Sequence, residues 1–153
     1  MIRKKDKLLL KELIEDSRLK IVDLAERTGL TRQSVYSKIH KFRKQGVNFT
    51  IDMIPEEFGL NLKAYILIQV DPNSEVRKRL IENIKKLREV SQLHYVLGRF
   101  DIVAEVILKD KKQLKEMLRE FQSWPAIKKT ETFIVYDTVK FDPKDPFIEV
   151  LKS

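Results

Sequence analysis

Residues 24–35 read LAERTGLTRQSV, and this stretch decides the fold of the first third of the chain. Gly29 stands where a helix can end, because glycine adopts the left-handed backbone conformation at little cost. Thr31 follows two residues later, and its hydroxyl can cap the start of a new helix. The stretch therefore predicts two short helices joined by a tight glycine turn, which is the helix-turn-helix arrangement.

Apolar residues recur at helical spacing on both sides of this turn, as expected for amphipathic helices. Gly46 can end the last of these helices. We therefore expect a three-helix domain over residues 1–47. The stripes consist of Leu9, Leu10, Leu13 and Ile14, then Leu24 and Ala25, and then Val35, Ile39 and Phe42.

The pattern changes beyond Gly46. Residues 48–62 contain Pro55 and Gly59 and are predicted to be a linker with a short strand around residues 49–51. After the linker, strand-like runs alternate with helical stripes in the order βαββαβ. This order predicts an α+β fold in which a ferredoxin-like domain over residues 63–142 follows the helices, with a tail at 143–153. The predicted strands are 64–70, 93–97, 102–108 and 130–139.

Two features of this second domain predict how it packs. The helix after the first strand is expected to turn Val76, Leu80, Ile84 and Leu87 inward and Arg77 outward. The runs Tyr65-Ile66-Leu67-Ile68 and Phe133-Ile134-Val135-Tyr136 are apolar on both alternating faces. Because the helices cover one face only, a second copy of the chain is expected to cover the other, with Ile66 or Ile68 in the interface. We therefore expect a homodimer, which could also associate further.

The charge is concentrated in the first third of the chain. Residues 1–50 carry 13 Lys and Arg against 6 Asp and Glu, whereas residues 51–153 carry 18 against 17. The formal net charge of +8 therefore lies almost wholly on the helical domain. A basic domain of this kind attracts a phosphate backbone, which makes double-stranded DNA the expected partner.

Other classes of function find little support in the sequence. The chain has no cysteine, which excludes disulfides and thiolate chemistry and suits a reducing cytoplasm. Its apolar stretches are interrupted by charges, so neither a signal peptide nor a membrane partner is expected. His40 and His94 lie in different domains without a metal-binding spacing, and no nucleophile or phosphate-loop motif is present. We expect no metal, no cofactor and no enzyme.

The second helix of a helix-turn-helix enters the major groove of DNA with its outward side chains. Arg32 suits a bidentate contact with guanine and Gln33 one with adenine, while the other outward groups can reach phosphates or nearby base edges. The predicted DNA-binding residues are Thr31, Arg32, Gln33, Tyr36, Ser37, His40 and Lys41.

These motifs resemble those of the Lrp/AsnC, or feast/famine, family. The resemblance covers nearly the whole chain. It implies a transcription regulator that binds DNA through its first domain and a small molecule, such as an amino acid, through its second. The residues that carry it are Asp6, Leu9-Leu10, Leu13, Asp16-Ser17-Arg18, Leu24-Ala25, residues 29–35, Ile39, Gly46-Val47, Gly59-Leu60 and Gly98-Arg99-Phe100-Asp101.

The turn at residues 98–101 is the candidate effector site. Asp101 could pair with the ammonium group of an amino acid, while Arg99 or backbone amides hold its carboxylate. Gly98 would permit a close approach of the backbone. Thr130 and Thr132 of a neighbouring subunit could add hydroxyl contacts. The same residues also suit a plain hairpin turn.

Two other functions fit the same architecture. The tetrapyrrole-decarboxylating enzymes resemble it and retain a helix-turn-helix without binding DNA, although such an enzyme gives no reason for a basic first domain. An architectural DNA-binding protein without an effector would also have this sequence pattern. A purified protein that is coloured by bound tetrapyrrole and does not bind DNA would favour the enzyme.

Overall fold

The structure is a computed structural model that describes residues 3–152. Met1 and Ile2, the first residues of the predicted helical domain, and Ser153, the last residue of the predicted tail, lie outside the described residues. The described residues form six α-helices and four strands: α1 (Lys4–Glu15), α2 (Ile21–Thr28), α3 (Arg32–Lys44), β1 (Leu62–Val70), α4 (Ser74–Ile84), β2 (Val90–Tyr95), β3 (Ile102–Leu108), α5 (Lys111–Ser123), β4 (Ile127–Ile134) and α6 (Asp145–Lys152).

The chain is divided into two compact units. The first, called here the helical unit, contains the residues up to Asp52 together with those from Lys140 onward, and the second, the sheet unit, is Met53–Val139. No helix among the described residues is long and apolar enough to cross a membrane.

The helical unit contains the predicted helix-turn-helix. Gly29 ends α2 with φ +61°, and Leu30 N–H donates to the Ala25 carbonyl at 3.0 Å. Thr31 caps α3 because its side chain accepts a hydrogen bond from Ser34 N–H at 3.1 Å. These contacts confirm the turn. The helices enclose a core of Leu9, Leu13, Leu24, Ala25, Val35 and Phe42.

The segment expected to be a tail contains α6, which belongs to the helical unit and packs on α1. Pro146 is the second residue of this helix. An N–H at that position would have no acceptor within the helix, so proline is tolerated there. Ile148 and Leu151 are half-buried, whereas Phe147 is 64% exposed. The side of α6 that contains Ile148 and Leu151 therefore packs on the helical unit, and the side that contains Phe147 is exposed.

The linker at residues 48–62 differs from the prediction, because its short strand around residues 49–51 is absent. A strand needs a neighbour to accept its hydrogen bonds, and no described strand pairs with this segment. Instead Phe49 packs on the core of the helical unit, under the guanidinium of Arg43, whose Cζ lies 5.1 Å from the ring centre. A single turn of 3-10 helix, Pro55–Phe58, follows.

The sheet unit has the predicted βαββαβ order, with an antiparallel sheet whose strands lie in the order β2-β3-β1-β4. One face packs against α4 and α5 and forms the core of this unit. The fold class is therefore α+β, as predicted. The fully buried residues of this core include Ala64, Ile66, Ile68, Ile84, Ile102, Val106, Leu108 and Phe121.

The last strand, β4, begins and ends earlier than the predicted 130–139. Its pairing with β1 runs from Ile127 opposite Val70, the end of β1, to Ile134 opposite Ala64. Val135 N–H still donates to the Lys63 carbonyl, but the paired register does not continue past Ile134. Pairing rather than local apolarity sets the length of the strand. Strand β2 likewise lies at 90–95 rather than 93–97.

Helix α4 buries Leu80 and Ile84 as predicted but differs from the predicted stripe in its first turn. Leu80, Ile81 and Ile84 are buried, while Val76 is 37% exposed and Arg77 is half-buried. The helix follows the sheet beneath it rather than the most apolar local stripe. The expectation that Val76 faces inward and Arg77 outward is therefore wrong.

The open face of the sheet presents different residues from those expected. Ile66 and Ile68 are fully buried under the helices, so neither of them can face a partner subunit. The open face instead carries Tyr65, Leu67 and Phe133, because side chains alternate along a strand. Tyr65 is 36% and Phe133 52% exposed in the single chain.

Candidate DNA-binding and effector-binding sites

Helix α3 presents one continuous exposed side. Val35 and Phe42 anchor its other side in the core. The first turn contains no acidic residue, and the last turn contains Lys41, Arg43 and Lys44. The helix therefore offers hydrogen-bond donors and positive charge to a polyanion. All seven predicted DNA-binding residues are exposed, namely Thr31, Arg32, Gln33, Tyr36, Ser37, His40 and Lys41.

Thr31 is occupied by a structural task. Its hydroxyl accepts from Ser34 N–H and also donates to Ser34 Oγ at 2.8 Å. The cap fixes the start of α3, and therefore the direction in which Arg32 and Gln33 leave the helix.

One lysine of α3 is paired within the unit. Lys38 Nζ forms an ion pair with the carboxylate of Asp6 in α1, which is only 7% exposed. Lys38 thus secures α3 to α1, and part of its charge is neutralised. No local sequence pattern predicts this pair, because its partners are 32 residues apart.

The remaining contacts around the turn also attach it to α1. Lys5 Nζ donates to the Gly29 carbonyl at 2.8 Å, and Arg27 forms an ion pair with Glu12 at 3.0 Å. This pair raises the pKa of Arg27 through the hydrogen bond to Glu12. The two exposed contacts are individually weak, but both hold the turn on the same helix.

The turn at residues 98–101 joins β2 to β3. Gly98 has φ +148°, and a Cβ built on it would meet nothing within 4 Å. Asp101 connects the turn to β1, since its N–H donates to the Ile68 carbonyl and its Oδ2 accepts from Val70 N–H, both at 3.0 Å. The Arg99 guanidinium lies over the Phe100 ring, 5.6 Å from its centre. Asp101 therefore has a structural role whatever else it binds.

Thr130 and Thr132 lie on another strand, β4. Thr130 pairs with Ile68 and Thr132 with Ile66, whereas the residue after Asp101 pairs with Ile68 on its opposite side. Two strand spacings, about 10 Å, thus separate β3 from β4. One chain does not bring the threonines to the turn.

A polar network lies in the middle of the open sheet face, which the sequence did not predict. Glu105 accepts hydrogen bonds from Ser91 Oγ at 2.6 Å and Tyr65 OH at 2.8 Å, and its Oε2 lies 2.9 Å from Lys63 Nζ. Burial by itself raises the pKa of Glu105, but the three donors outweigh it and hold that pKa below its usual value. Glu105 is therefore an ionised, fully engaged carboxylate at neutral pH.

A basic helix-turn-helix in one unit and a four-stranded antiparallel sheet in the other are typical of two-domain DNA-binding transcription regulators. Residues 2–47 match the family model described as winged helix-turn-helix DNA-binding. Residues 63–145, more than half of the chain, match the model described as the Lrp/AsnC ligand binding domain.

Individual relatives agree with these matches. The chain is 28% identical over 137 residues to the HTH-type transcriptional regulator FL11 of Pyrococcus abyssi, covering 88% of this chain and 89% of the relative. Its fold is similar to that of E. coli AsnC, with a TM-score of 0.84, 21% identity and coverage of 93% and 97% of the two chains. Its fold is also similar to that of the regulator NMB0573 of Neisseria meningitidis, solved with L-Met. The TM-score is 0.86 and the identity 20%, with coverage of 96% of this chain and 99% of the other.

The chain belongs to the Lrp/AsnC family of transcription regulators. It is a DNA-binding regulator with a ligand-binding domain. The Pyrococcus relative is likewise described as a transcriptional regulator.

Proposed function

We propose that this regulator reads DNA sequence through α3 and changes its DNA binding in response to an amino acid held at the turn of residues 98–101. The observation that carries the first half is the exposure of all seven predicted residues on one side of α3, while Val35 and Phe42 hold the other side in the core. Arg32 and Gln33 read bases, and Tyr36, Ser37, His40 and Lys41 contact phosphates or neighbouring edges. The site of action is the cytoplasm, where the DNA would be.

The effector half rests on the acceptor capacity of Asp101. A carboxylate has about four lone-pair sites, and Val70 N–H uses one of them at Oδ2. Oδ1 would accept from the ammonium group of an amino acid, with Arg99 or the exposed amides of the turn on its carboxylate. The L-Met held by the Neisseria regulator is the kind of ligand proposed here. Thr130 and Thr132 would come from a neighbouring subunit, since their own strand lies too far from Asp101.

The assembly is proposed to be a homodimer formed through the open sheet face, with Tyr65, Leu67 and Phe133 at its centre. Large apolar side chains on a sheet face are ordinarily covered. A two-fold dimer would also pair two copies of α3 for a symmetric DNA site. No catalytic role is proposed, and the basic charge of the helical domain supports DNA over a tetrapyrrole substrate.

Calorimetry with each proteinogenic amino acid tests the effector site. At least one should bind the wild-type protein, and Asp101→Asn should abolish the heat. The amide oxygen of this variant can still accept from Val70 N–H, so circular dichroism should remain unchanged. Asp137→Asn, at an exposed residue outside the turn, should bind normally. Undiminished binding by Asp101→Asn would leave the turn with a structural role only, without affecting the DNA-binding assignment.

A further inference from the structure

Helix α4 has an arginine where its sheet-facing stripe predicts an apolar residue. Leu80, Ile81 and Ile84 form that stripe, and one turn earlier its position is taken by Arg77. The guanidinium Cζ lies 4.8 Å from the centre of the Tyr95 ring. Its Nε is buried without an acceptor among the described residues. The guanidinium therefore covers one side of Tyr95, whose other neighbours line a cleft.

A cleft lies beside Tyr95, between α4 and the edge strand β2. Its volume is about 190 Å³, below the roughly 300–1,000 Å³ of pockets that hold drug-sized ligands. A ligand would therefore be small and partly exposed. Ile81, which is buried, and Leu93, which is half-buried, supply an apolar floor. The other lining residues are Lys78, Glu82, Lys85, His94 and Tyr95.

The charges around the cleft favour an anion. Lys78 pairs with Glu75 at 3.2 Å and Lys85 with Glu82 at 2.8 Å, and both pairs are exposed. Such pairs contribute little, so Lys78 can leave Glu75, which does not line the cleft, for a ligand at small cost. Glu82 is the acid that lines the cleft, and Lys85 already neutralises it. A ligand's ammonium group would find no unpaired carboxylate there.

We propose that the cleft between α4 and β2 binds a small organic acid that carries a carboxylate and an apolar body but no ammonium group. Lys78 holds the carboxylate, with His94 as a further donor, while Lys85 stays paired with Glu82. The apolar body lies on Ile81 and Leu93. This site is separate from the proposed amino-acid site in position and in the charge of its ligand.

Isocaproate, L-leucine and inorganic phosphate test the proposal on the full-length protein. Isocaproate is leucine without its ammonium group, and phosphate is an anion without an apolar body. We expect isocaproate to shift the NMR signals of the His94 and Tyr95 side chains saturably. Leucine and phosphate should act on the same signals at least tenfold more weakly, because leucine places an unpaired ammonium group beside lysines and phosphate lacks the apolar contact.

Two matched variants separate a built site from general attraction. Lys78→Gln should weaken isocaproate binding roughly tenfold or more, because it removes a charge-assisted hydrogen bond. Lys86→Gln removes the same charge from an exposed residue that does not line the cleft, and it should bind as the wild type does. Both lysines are exposed, so both variants should fold. Absence of isocaproate binding, equal binding of all three probes, or equal losses in the two variants would each overturn the proposal.

Discussion

At the scale of single residues, side chains of α3 that look equivalent in the sequence perform different tasks. Thr31 caps the helix and Lys38 pairs with the buried Asp6. Arg32 and Lys41 are exposed and free to approach DNA. Position on the helix therefore decides which charges are accessible to DNA and which secure the fold.

Substitution of Arg32 should separate base reading from phosphate binding. Arg32→Ala is expected to lower specific affinity by roughly 1–3 kcal/mol and relax base preference, through loss of a bidentate contact. Lys41→Ala should weaken binding to all sequences alike and make the salt dependence shallower. Gel-shift titrations over a range of salt concentrations on specific and random duplexes distinguish the two. Specific binding at full strength by a chain without residues 1–46 would contradict the assignment to this domain.

Glu105 should make the stability of the protein depend on acid pH. Its pKa is lower in the folded state than its ordinary value of 4.5, so its stabilising contribution is complete above that value. The contribution is lost as the pH falls through the lowered folded-state pKa. Glu105→Gln should therefore show a smaller loss of stability between about pH 5 and the acid limit of folding. Urea unfolding across this range measures both proteins, and parallel curves would exclude the coupling.

At the scale of elements, the sequence predicted correctly those features that depend on contacts between residues close together in the chain. The glycine turn and the Thr31 cap each depend on residues within one helical turn, so the sequence located the helix-turn-helix and the exposed side of α3. The limits of β4 depend on β1, which is more than fifty residues earlier in the chain. The half-buried Arg77 contacts Tyr95 on another element, and Val70 N–H donates to Asp101, which lies beyond β2 in the chain. Such distant contacts leave no periodic pattern.

Helix α6 is the element that sequence reasoning missed. It has eight residues, too few to be stable alone, so its packing on α1 must sustain it. Ile148→Asp should therefore destabilise the helical unit by about 1–3 kcal/mol through burial of an unpaired charge. Phe147→Asp places the same side chain at an exposed neighbour and should have a much smaller effect. Thermal unfolding followed by circular dichroism measures both, and equal losses would show that α6 is not held by this side.

At the scale of the whole molecule, the open sheet face determines the proposed assembly. Leu67→Glu should convert the dimer to a monomer, because the dimer would bury an unpaired carboxylate. Val76→Glu places the same charge at an exposed position of α4 and should leave the dimer intact. Light scattering at micromolar concentration gives the masses. A monomeric wild-type protein would exclude the dimer and also the inverted-repeat DNA site, with half-sites about 34 Å apart, that it predicts.

The helical unit is discontinuous in sequence, since the chain leaves it at Asp52 and returns at Lys140. This has a consequence during synthesis, when the ribosome makes α1 first and α6 last. At roughly 5–20 residues per second, the protein's own helical unit waits on the order of 10 s for the helix that covers α1. A nascent chain with a finished glycine turn therefore still lacks part of the surface that holds its recognition helix in place. Messages cut short before codon 140 would yield fragments whose DNA-binding half is incomplete, and such fragments would compete poorly with the full-length regulator for its sites.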